Sequence, residues 1–470
     1  MRRDHFQQSV GRTLAQTVSS DNLGLTASVS IALGGMIGGG IYAVLGVVAG
    51  IAGPATWIAF AAAGAVALCA GYSYNVLNAV DDNQGGSVSF VQSFVGSTTL
   101  AGMTGWTLLF GYIGSMAMYA FAFGEFAVGL GGVPGSAAGV PLRPAISVLA
   151  VAGFVGLNLL GARATGSAEN VLVAAKVAVL VAFGLGGIAV LTVGDGPLVS
   201  SGLSELPSFG PVMAAAVSFV AFQGWQLLYY DQERIEDATE TIRRAVYIAI
   251  PASVAIYVLV AVTTVALVPQ ALEQHPHTAL AKAAGRVVEP VAPRQVGVVA
   301  ISLSALFSTG SAINATLFSS GYFAKGMVSD DLLPDRAGDA SASGIPTRTL
   351  LVLGAVTAAF AAVGSLGAIT SFASVAFIVV FGAMCYLALR ERARDEINPV
   401  PPAVGLLGTA AFLPLLFYHL YRSQPTTFYA VVVIAVAVVA VELLYFERDV
   451  IAEEIEAVEE RVETAAPSHD

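Results

Sequence analysis

The chain has 470 residues, of which 56% are hydrophobic and 11% charged, and its formal net charge at pH 7 is −11. Soluble domains carry about 25% charged residues, so this composition excludes a protein that mostly contacts water. Several apolar stretches are long enough to cross a hydrocarbon layer about 30 Å thick as helices, and the short alternating segments of a β-barrel are absent.

The apolar stretches predict an all-α integral membrane protein with twelve transmembrane helices. The predicted spans are residues 25–50, 54–79, 103–131, 143–161, 169–194, 210–230, 245–268, 294–322, 348–365, 367–389, 401–420 and 426–446. Residues 1–24 form a polar segment before them, and the acidic tail at 447–470 carries an apolar stripe that predicts an amphipathic helix. The first apolar run is too long and too rich in glycine for a cleavable signal peptide.

The distribution of Lys and Arg predicts the orientation of the chain. With the N-terminus in the cytoplasm, fifteen of the 21 Lys and Arg residues fall on the cytoplasmic side and five on the opposite side. Cytoplasmic loops carry such an excess. We therefore expect a multi-pass protein of the cytoplasmic (inner) membrane with both termini in the cytoplasm.

The first span contains a cluster of glycines, namely Gly34, Gly35, Gly38, Gly39 and Gly40. Each glycine destabilises a helix by about 1 kcal/mol relative to alanine. The pairs Gly34/Gly38 and Gly35/Gly39 have the spacing of a close helix-packing surface. Alternatively, the cluster breaks the helix, which a membrane tolerates only where protein or a water-filled cavity covers the backbone. The residues leave both interpretations open.

A second interruption lies in the sixth span, where Gln223, Gly224 and Gln226 occur in an otherwise apolar helix. One interpretation is a polar patch that faces the helix bundle. The other is a broken helix, because interrupted helices at matching positions of two halves, here spans 1–5 and 6–10, point to a transporter binding site. Helix ends at such a break present N–H groups to a carboxylate and C=O groups to an ammonium group.

Motifs from about residue 22 to residue 395 resemble those of the amino acid–polyamine–organocation superfamily. The segment Gly38–Tyr42 resembles the family's Gly-Ser-Gly-Ile-Phe in the first helix, and Gly85–Ser87 resembles its loop before the third helix. Phe219–Trp225 resembles the sixth-helix signature, and Ser308–Asn314 the eighth helix. Each motif alone is weak evidence for this resemblance, but the occurrence of all of them in the family's order over most of the chain is strong evidence for it.

The resemblance implies a five-plus-five inverted repeat with discontinuous helices 1 and 6 in residues 25–389, and two peripheral helices in residues 390–446. It implies a secondary active transporter that imports an amino acid by alternating access. The substrate carboxylate is expected at N–H groups of helix 1 and the amine at carbonyls of helices 1 and 6, with aromatic side chains as walls or, alternatively, as core packing. The implied substrate-binding residues are Ile37, Gly38, Gly39, Gly40, Ile41, Val220, Ala221, Phe222, Gln223, Gly224 and Trp225.

Lys176 is the only lysine inside a predicted span, and an ionised lysine at mid-bilayer costs about 2.5–3.5 kcal/mol. Its long side chain could snorkel to the membrane surface. In proton-coupled relatives, a lysine of helix 5 stands where sodium-coupled relatives bind the ion. The resemblance implies that role here, with Ser308 or Ser311 as partners, so proton coupling is expected. Sodium coupling and exchange of amino acids or polyamines are the alternatives.

Departures from the family pattern bear on the substrate. Gly111 stands where the cationic branch often has a glutamate, Gln226 where an aspartate is common, and Asp237-Ala238 where Asn-Pro is usual. No acid is obvious in the core of helices 6, 8 or 10. These features favour a neutral or apolar amino acid.

Other classes of function fit the residues less well. A membrane-embedded enzyme needs a nucleophile with a base, or metal ligands, but the histidines lie in loops, tails or span ends, and His275 and His277 are a poor metal pair. A channel needs rings of identical groups around a shared axis. We expect no enzymatic activity, cofactor, metal or nucleic acid. The expected partners are an amino acid or small amine, a proton or sodium ion, and the lipid bilayer.

Overall fold

The structure is a computed structural model that describes residues 23–81, 85–130, 134–160, 166–193, 202–205, 208–329, 332 and 346–441. The predicted amphipathic tail and almost all of the N-terminal segment lie outside these residues. Two short strands, β1 (Ser136–Ala137) and β2 (Val140–Pro141), pair antiparallel in one loop. The α-helices of the described chain are α1 Leu25–Ala52, α2 Thr56–Val80, α3 Ser87–Val95, α4 Thr98–Gly129, α5 Arg143–Leu159, α6 Gly166–Val193, α7 Gly210–Ser218, α8 Ala238–Leu267, α9 Pro269–Gln274, α10 Ala279–Val288, α11 Arg294–Ser329, α12 Thr347–Val363, α13 Leu366–Arg390, α14 Val400–Ser423 and α15 Pro425–Val441.

These helices confirm the prediction of a membrane protein built almost entirely from helices. Within the described residues, 8 helical stretches are long and apolar enough to cross a membrane. They are Leu25–Val80, which contains both α1 and α2, Thr98–Gly129, Asn170–Val193, Gly210–Tyr230, Ala238–Leu267, Arg294–Val328, Leu366–Arg390 and Val400–Ser423. Shorter apolar helices are Arg143–Leu159, Thr347–Val363 and Pro425–Ala440. Within the described residues, each predicted span overlaps one of these helices.

The first helix, α1, is helical along its whole length, so the prediction of a discontinuous helix 1 is wrong. Its glycines instead allow other helices to approach closely. A Cβ added to Gly38 would lie 2.6 Å from the Cβ of Ala312 in α11, and a Cβ added to Gly39 would overlap the ring of Tyr119 in α4. The helix cost of about 1 kcal/mol per glycine is smaller than the several kcal/mol of each peptide group left unpaired in a membrane. The helix therefore stays intact.

The sixth span is interrupted, as predicted. Helix α7 ends at Ser218 and continues as a 3₁₀ turn over Phe219–Phe222, after which Gln223 is extended. Gly224 has φ +121° and ψ −38°, and a second 3₁₀ segment follows at Trp225–Tyr230. Residues with a Cβ rarely adopt such a φ, so Gly224 determines where the helix breaks.

Helix α1 lies in the middle of the bundle, where it packs against α6, α7, α8 and α11. Helix α4 contacts both α11 and α13, and α5 contacts α12. Near the end of the chain, α14 packs against α13 and α2, and α15 against α14. Cys69 and Cys385 are free thiols, and both lie beside Gly405 of α14.

Candidate functional site

The break in the sixth span lies directly against the glycine face of α1. A Cβ added to Gly40 would lie 3.1 Å from the carbonyl oxygen of Ala221, and one added to Gly224 would lie 3.1 Å from the backbone nitrogen of Met36. Ile37 has 0% exposure. The two segments singled out from the sequence therefore meet in the core of the protein.

Side chains bond to N–H groups on both sides of the break. The Val220 N–H donates to the Ser374 hydroxyl at 3.0 Å, and that hydroxyl donates to the Val217 carbonyl at 2.7 Å. The Gly224 N–H donates to the Gln226 side-chain oxygen at 2.6 Å. Both N–H groups thus donate to side-chain oxygens and not to backbone carbonyls. A carboxylate would offer the same kind of oxygen acceptor.

Carbonyl groups of the two segments are also met by side chains. The Tyr257 hydroxyl of α8 lies 2.6 Å from the Met36 carbonyl oxygen and 3.0 Å from that of Ala221. The Trp225 indole N–H donates to the Phe222 carbonyl at 2.8 Å. Carbonyls of α1 and of the break therefore converge on hydrogen-bond donors, as they would on an ammonium group.

Neutral polar side chains continue from the break to α4. Gln223 Nε2 donates to the Tyr119 hydroxyl at 2.6 Å, and Gln226 Nε2 donates to Gln223 Oε1 at 3.3 Å. Tyr119 and Gln223 are each 1% exposed, and Gln226 is 0% exposed. The polar-patch and broken-helix interpretations of this span therefore both hold, because Gln226 accepts from the Gly224 N–H at the break and Gln223 links Gln226 to Tyr119.

Lys176 of α6 is 6% exposed, and its Nζ donates to the Gly34 carbonyl of α1 at 3.1 Å. Three residues further along α1, the Ile37 carbonyl accepts from the Ser308 hydroxyl at 2.9 Å. The lysine thus points into the bundle rather than snorkelling to the surface. Ser311 donates to the Ser308 carbonyl of its own helix at 3.0 Å.

The two aromatic residues predicted at the site have different neighbours. The Phe222 ring lies 5.2 Å from the Tyr257 ring, beside the break. The Trp225 ring lies 5.0 Å from Tyr74 and 5.1 Å from Phe381, within an aromatic cluster. The contacts of Trp225 fit the core-packing alternative, whereas Phe222 lies against the residue that bridges α1 and the break.

Three residues that bond to the predicted segments were missed from the sequence, namely Tyr119, Tyr257 and Ser374. Each is one of several polar residues inside a mostly apolar span. The signal that could have found them is that intramembrane polar groups face the bundle interior and bond to one another, but many residues of this chain share that description.

The Gly-Gly-Ser motif holds the C-terminal end of the sixth span. The Ser87 N–H donates to the Tyr230 hydroxyl at 3.3 Å, and that hydroxyl donates to Ser87 Oγ at 3.2 Å. A Cβ on Gly86 would overlap the Tyr230 ring. Nearby in the chain, Leu23 and Ile235 form a parallel β-bridge. The start of α1 is thereby joined to the segment that follows the sixth span.

Known proteins resemble the chain over most of its length. A family model described as amino acid permease matches residues 23–442. The chain is 27% identical to an uncharacterized protein of Methanocaldococcus jannaschii, over 91% of this chain and 96% of that protein. It is 29% identical to an inner membrane transport protein of Escherichia coli, over 85% of this chain and 90% of the relative. It is 24% identical to a vacuolar cationic amino acid transporter of Arabidopsis thaliana, over 84% of this chain and 63% of the relative.

Proposed function

The chain belongs to the amino acid permease family, whose named relatives are membrane transporters rather than enzymes, and we propose that it imports a neutral amino acid by secondary active transport. The observation that carries this proposal is the break in the sixth span. Its peptide groups are buried against α1 and bond to side chains instead of to a helix. Backbone of this kind is tolerated in a membrane where it is covered by protein, and it recurs at transporter binding sites.

The chemistry of the break supports a zwitterionic substrate. A carboxylate would replace the side-chain oxygens that now accept from the N–H groups of Val220 and Gly224. An ammonium group would bond to the carbonyls of Met36 and Ala221. We place the predicted substrate residues of α1 and the sixth span around these groups.

The side chains at the break support a neutral substrate over a charged one. Those that bond to it belong to Ser374, Gln226, Gln223, Tyr257 and Tyr119, all of them neutral. A cationic or anionic amino acid side chain would need an opposite charge at this depth, because an unpaired buried charge is strongly unfavourable. A neutral or apolar amino acid needs none.

We propose that residues 25–389 form a five-plus-five inverted repeat with α14 and α15 at its periphery. In such a repeat, α1 corresponds to the sixth span, α2 to α8, α4 to α11 and α5 to α12. The members of each of these pairs are in contact, as expected where equivalent elements meet across a pseudo-twofold axis. The excess of Lys and Arg in alternate loops supports cytoplasmic termini and twelve crossings of the cytoplasmic membrane.

Proton coupling through Lys176 completes the proposal. The protonated amine donates to the Gly34 carbonyl, and Ser308 donates to the Ile37 carbonyl on the same face of α1. Deprotonation would remove positive charge from this point and weaken the link between α6 and α1. Such a change alters the relative stability of two arrangements of α1, which is what alternating access requires.

Purified protein in proteoliposomes tests the proposal, after a thermal-shift screen against amino acids and polyamines selects the substrate. We expect saturable uptake of a neutral amino acid that an inward proton gradient accelerates and that sodium leaves unchanged. Uptake that requires sodium at fixed pH would indicate symport with sodium instead of proton coupling. Uptake that occurs only when a second amino acid leaves on the other side would indicate exchange. A protein that takes up no amino acid under any gradient contradicts the proposed function.

A further inference from the structure

Tyr257 of α8 is the side chain that joins α1 to the break in the sixth span. It is 0% exposed, and its hydroxyl lies 2.6 Å from the Met36 carbonyl oxygen and 3.0 Å from the Ala221 carbonyl oxygen. A hydroxyl has one hydrogen, so the two carbonyls share it. Any movement of the break away from α1 must lengthen at least one of these bonds.

The surroundings of Tyr257 hold its hydroxyl at this point. Its ring packs between Phe60, at a centroid distance of 5.4 Å, and Phe222, at 5.2 Å. On α1, Gly40 faces the hydroxyl, and a Cβ added there would lie 2.5 Å from it. The absence of a side chain at this position of α1 therefore leaves the space that the hydroxyl occupies.

We propose that Tyr257 is a positioning residue of the transport site, which keeps the carbonyls of Met36 and Ala221 in the arrangement that the substrate amine meets. The proposal rests on the proposed function for its link to substrate. The clamp itself, meaning the two hydrogen bonds from the Tyr257 hydroxyl to the Met36 and Ala221 carbonyls, holds the backbone whether or not a substrate binds. Loss of the hydroxyl leaves the ring packing intact and removes the hydrogen bonds by which Tyr257 links the break to α1.

Tyr257→Phe tests this role, with Tyr42→Phe as a matched control. Tyr42 is 3% exposed, and its hydroxyl bonds to Ser304 at 2.7 Å, so it too links α1 to another helix through a buried hydroxyl. We expect Tyr257→Phe to raise KM about fivefold to tenfold, the equivalent of one buried hydrogen bond, with a smaller change in kcat. Tyr42→Phe should leave KM unchanged.

Hydrogen exchange provides a readout that needs no substrate. Amide exchange of residues 219–226 should be about fivefold to tenfold faster in Tyr257→Phe than in the wild type, and unchanged in Tyr42→Phe. Equal exchange in all three proteins would overturn the clamp even if no amino acid were transported. Transport by the wild type with an unaltered KM in Tyr257→Phe would overturn the positioning role and leave the proposed function intact.

Gly40→Ala provides a second variant if Tyr257→Phe does not fold. The new methyl group would displace the Tyr257 hydroxyl while keeping it in the protein, so KM should rise as in Tyr257→Phe. An unchanged KM in Gly40→Ala would contradict the proposal. If Tyr257→Phe folds as well, the effects of the two substitutions on KM should not add fully in the double variant, because both disturb the hydrogen bonds of the Tyr257 hydroxyl. Additive effects on KM would contradict the proposal.

Discussion

Gly35 of α1 and Gly224 of the sixth span face each other so closely that a Cβ added to either residue would lie 2.7 Å from the Cα of the other. The contact is between two backbones, so no side chain can turn aside to make room. It sets the distance between the intact first helix and the broken sixth span.

Alanine at either position should separate these backbones. Overpacking of a tight core costs about 1–3 kcal/mol, and at Gly224 the positive φ adds backbone strain of about 1–3 kcal/mol. We expect Gly35→Ala and Gly224→Ala to lower the melting temperature and to abolish uptake, with the larger loss of stability in Gly224→Ala. Thermal unfolding in detergent and uptake in proteoliposomes measure the two effects.

Gly50→Ala is the matched control in the same helix. Gly50 is exposed, and a Cβ there meets nothing within 4 Å. Because alanine favours a helix over glycine by about 1 kcal/mol, this variant should be as stable as the wild type or slightly more stable, with normal uptake. Gly35→Ala behaving like Gly50→Ala would show that the two backbones do not limit each other.

The sequence predicted the break in the sixth span because its cause is local. Gly224 supplies a φ that other residues avoid, and the neighbouring Gln226 supplies an acceptor for the Gly224 N–H. The continuity of α1 could not be predicted in this way. A run of glycines permits both a break and close packing, and the outcome depends on what faces it, here Tyr119 and Ala312 from distant parts of the chain.

The role of Ser374 shows a second limit of sequence reasoning. Ser371 and Ser374 lie one turn apart in α13, and both have 0% exposure. Only the fold shows that Ser374 bonds to both Val217 and Val220. Nothing in the spacing of small polar residues along an apolar helix indicates which of them faces a break in another helix.

Ser374→Ala should therefore weaken the break. The Val220 N–H would lose its acceptor in the core, at a cost of about 1–3 kcal/mol. The control is Ser115→Ala, because Ser115 is also 0% exposed but donates only within its own helix, to Gly111 at 2.9 Å. We expect a lower melting temperature and a higher KM for Ser374→Ala than for Ser115→Ala. Equal values for the two variants would contradict the structural role of this bond.

Lys176→Ala should uncouple transport from the proton gradient. Without the amine, the Gly34 carbonyl loses this donor and no proton is exchanged at α1. We expect uptake driven by a pH gradient to be lost, while exchange of labelled for unlabelled substrate across the membrane persists. Lys282→Ala, which removes an exposed lysine of α10, should leave both activities unchanged. Normal accumulation by Lys176→Ala would exclude the coupling role.

His277 lies in the connection between α9 and α10 and packs against α4. Its ring lies 5.5 Å from the ring of Phe121 in α4. The Arg143 guanidinium also contacts this Phe121 ring, at 3.9 Å from its centroid. Glu125 is 3.9 Å from Arg143. Burial lowers the pKa of His277, Glu125 opposes that shift, and Arg143 lowers the pKa further. The lowered pKa favours the neutral form of this imidazole.

Acid should loosen this connection. The pKa of His277 is lower in the folded protein, so the unfolded protein binds the proton more readily. The contribution of His277 to stability is therefore present above its ordinary pKa of about 6.5 and decreases as the pH falls below that value. We expect His277→Gln to reduce the fall in melting temperature between about pH 7.5 and 5.5. The control is His275→Gln, because His275 is exposed. In this variant the melting temperature should change with pH as it does in the wild type. The same pH dependence in His277→Gln and wild type would show that another group senses the acid.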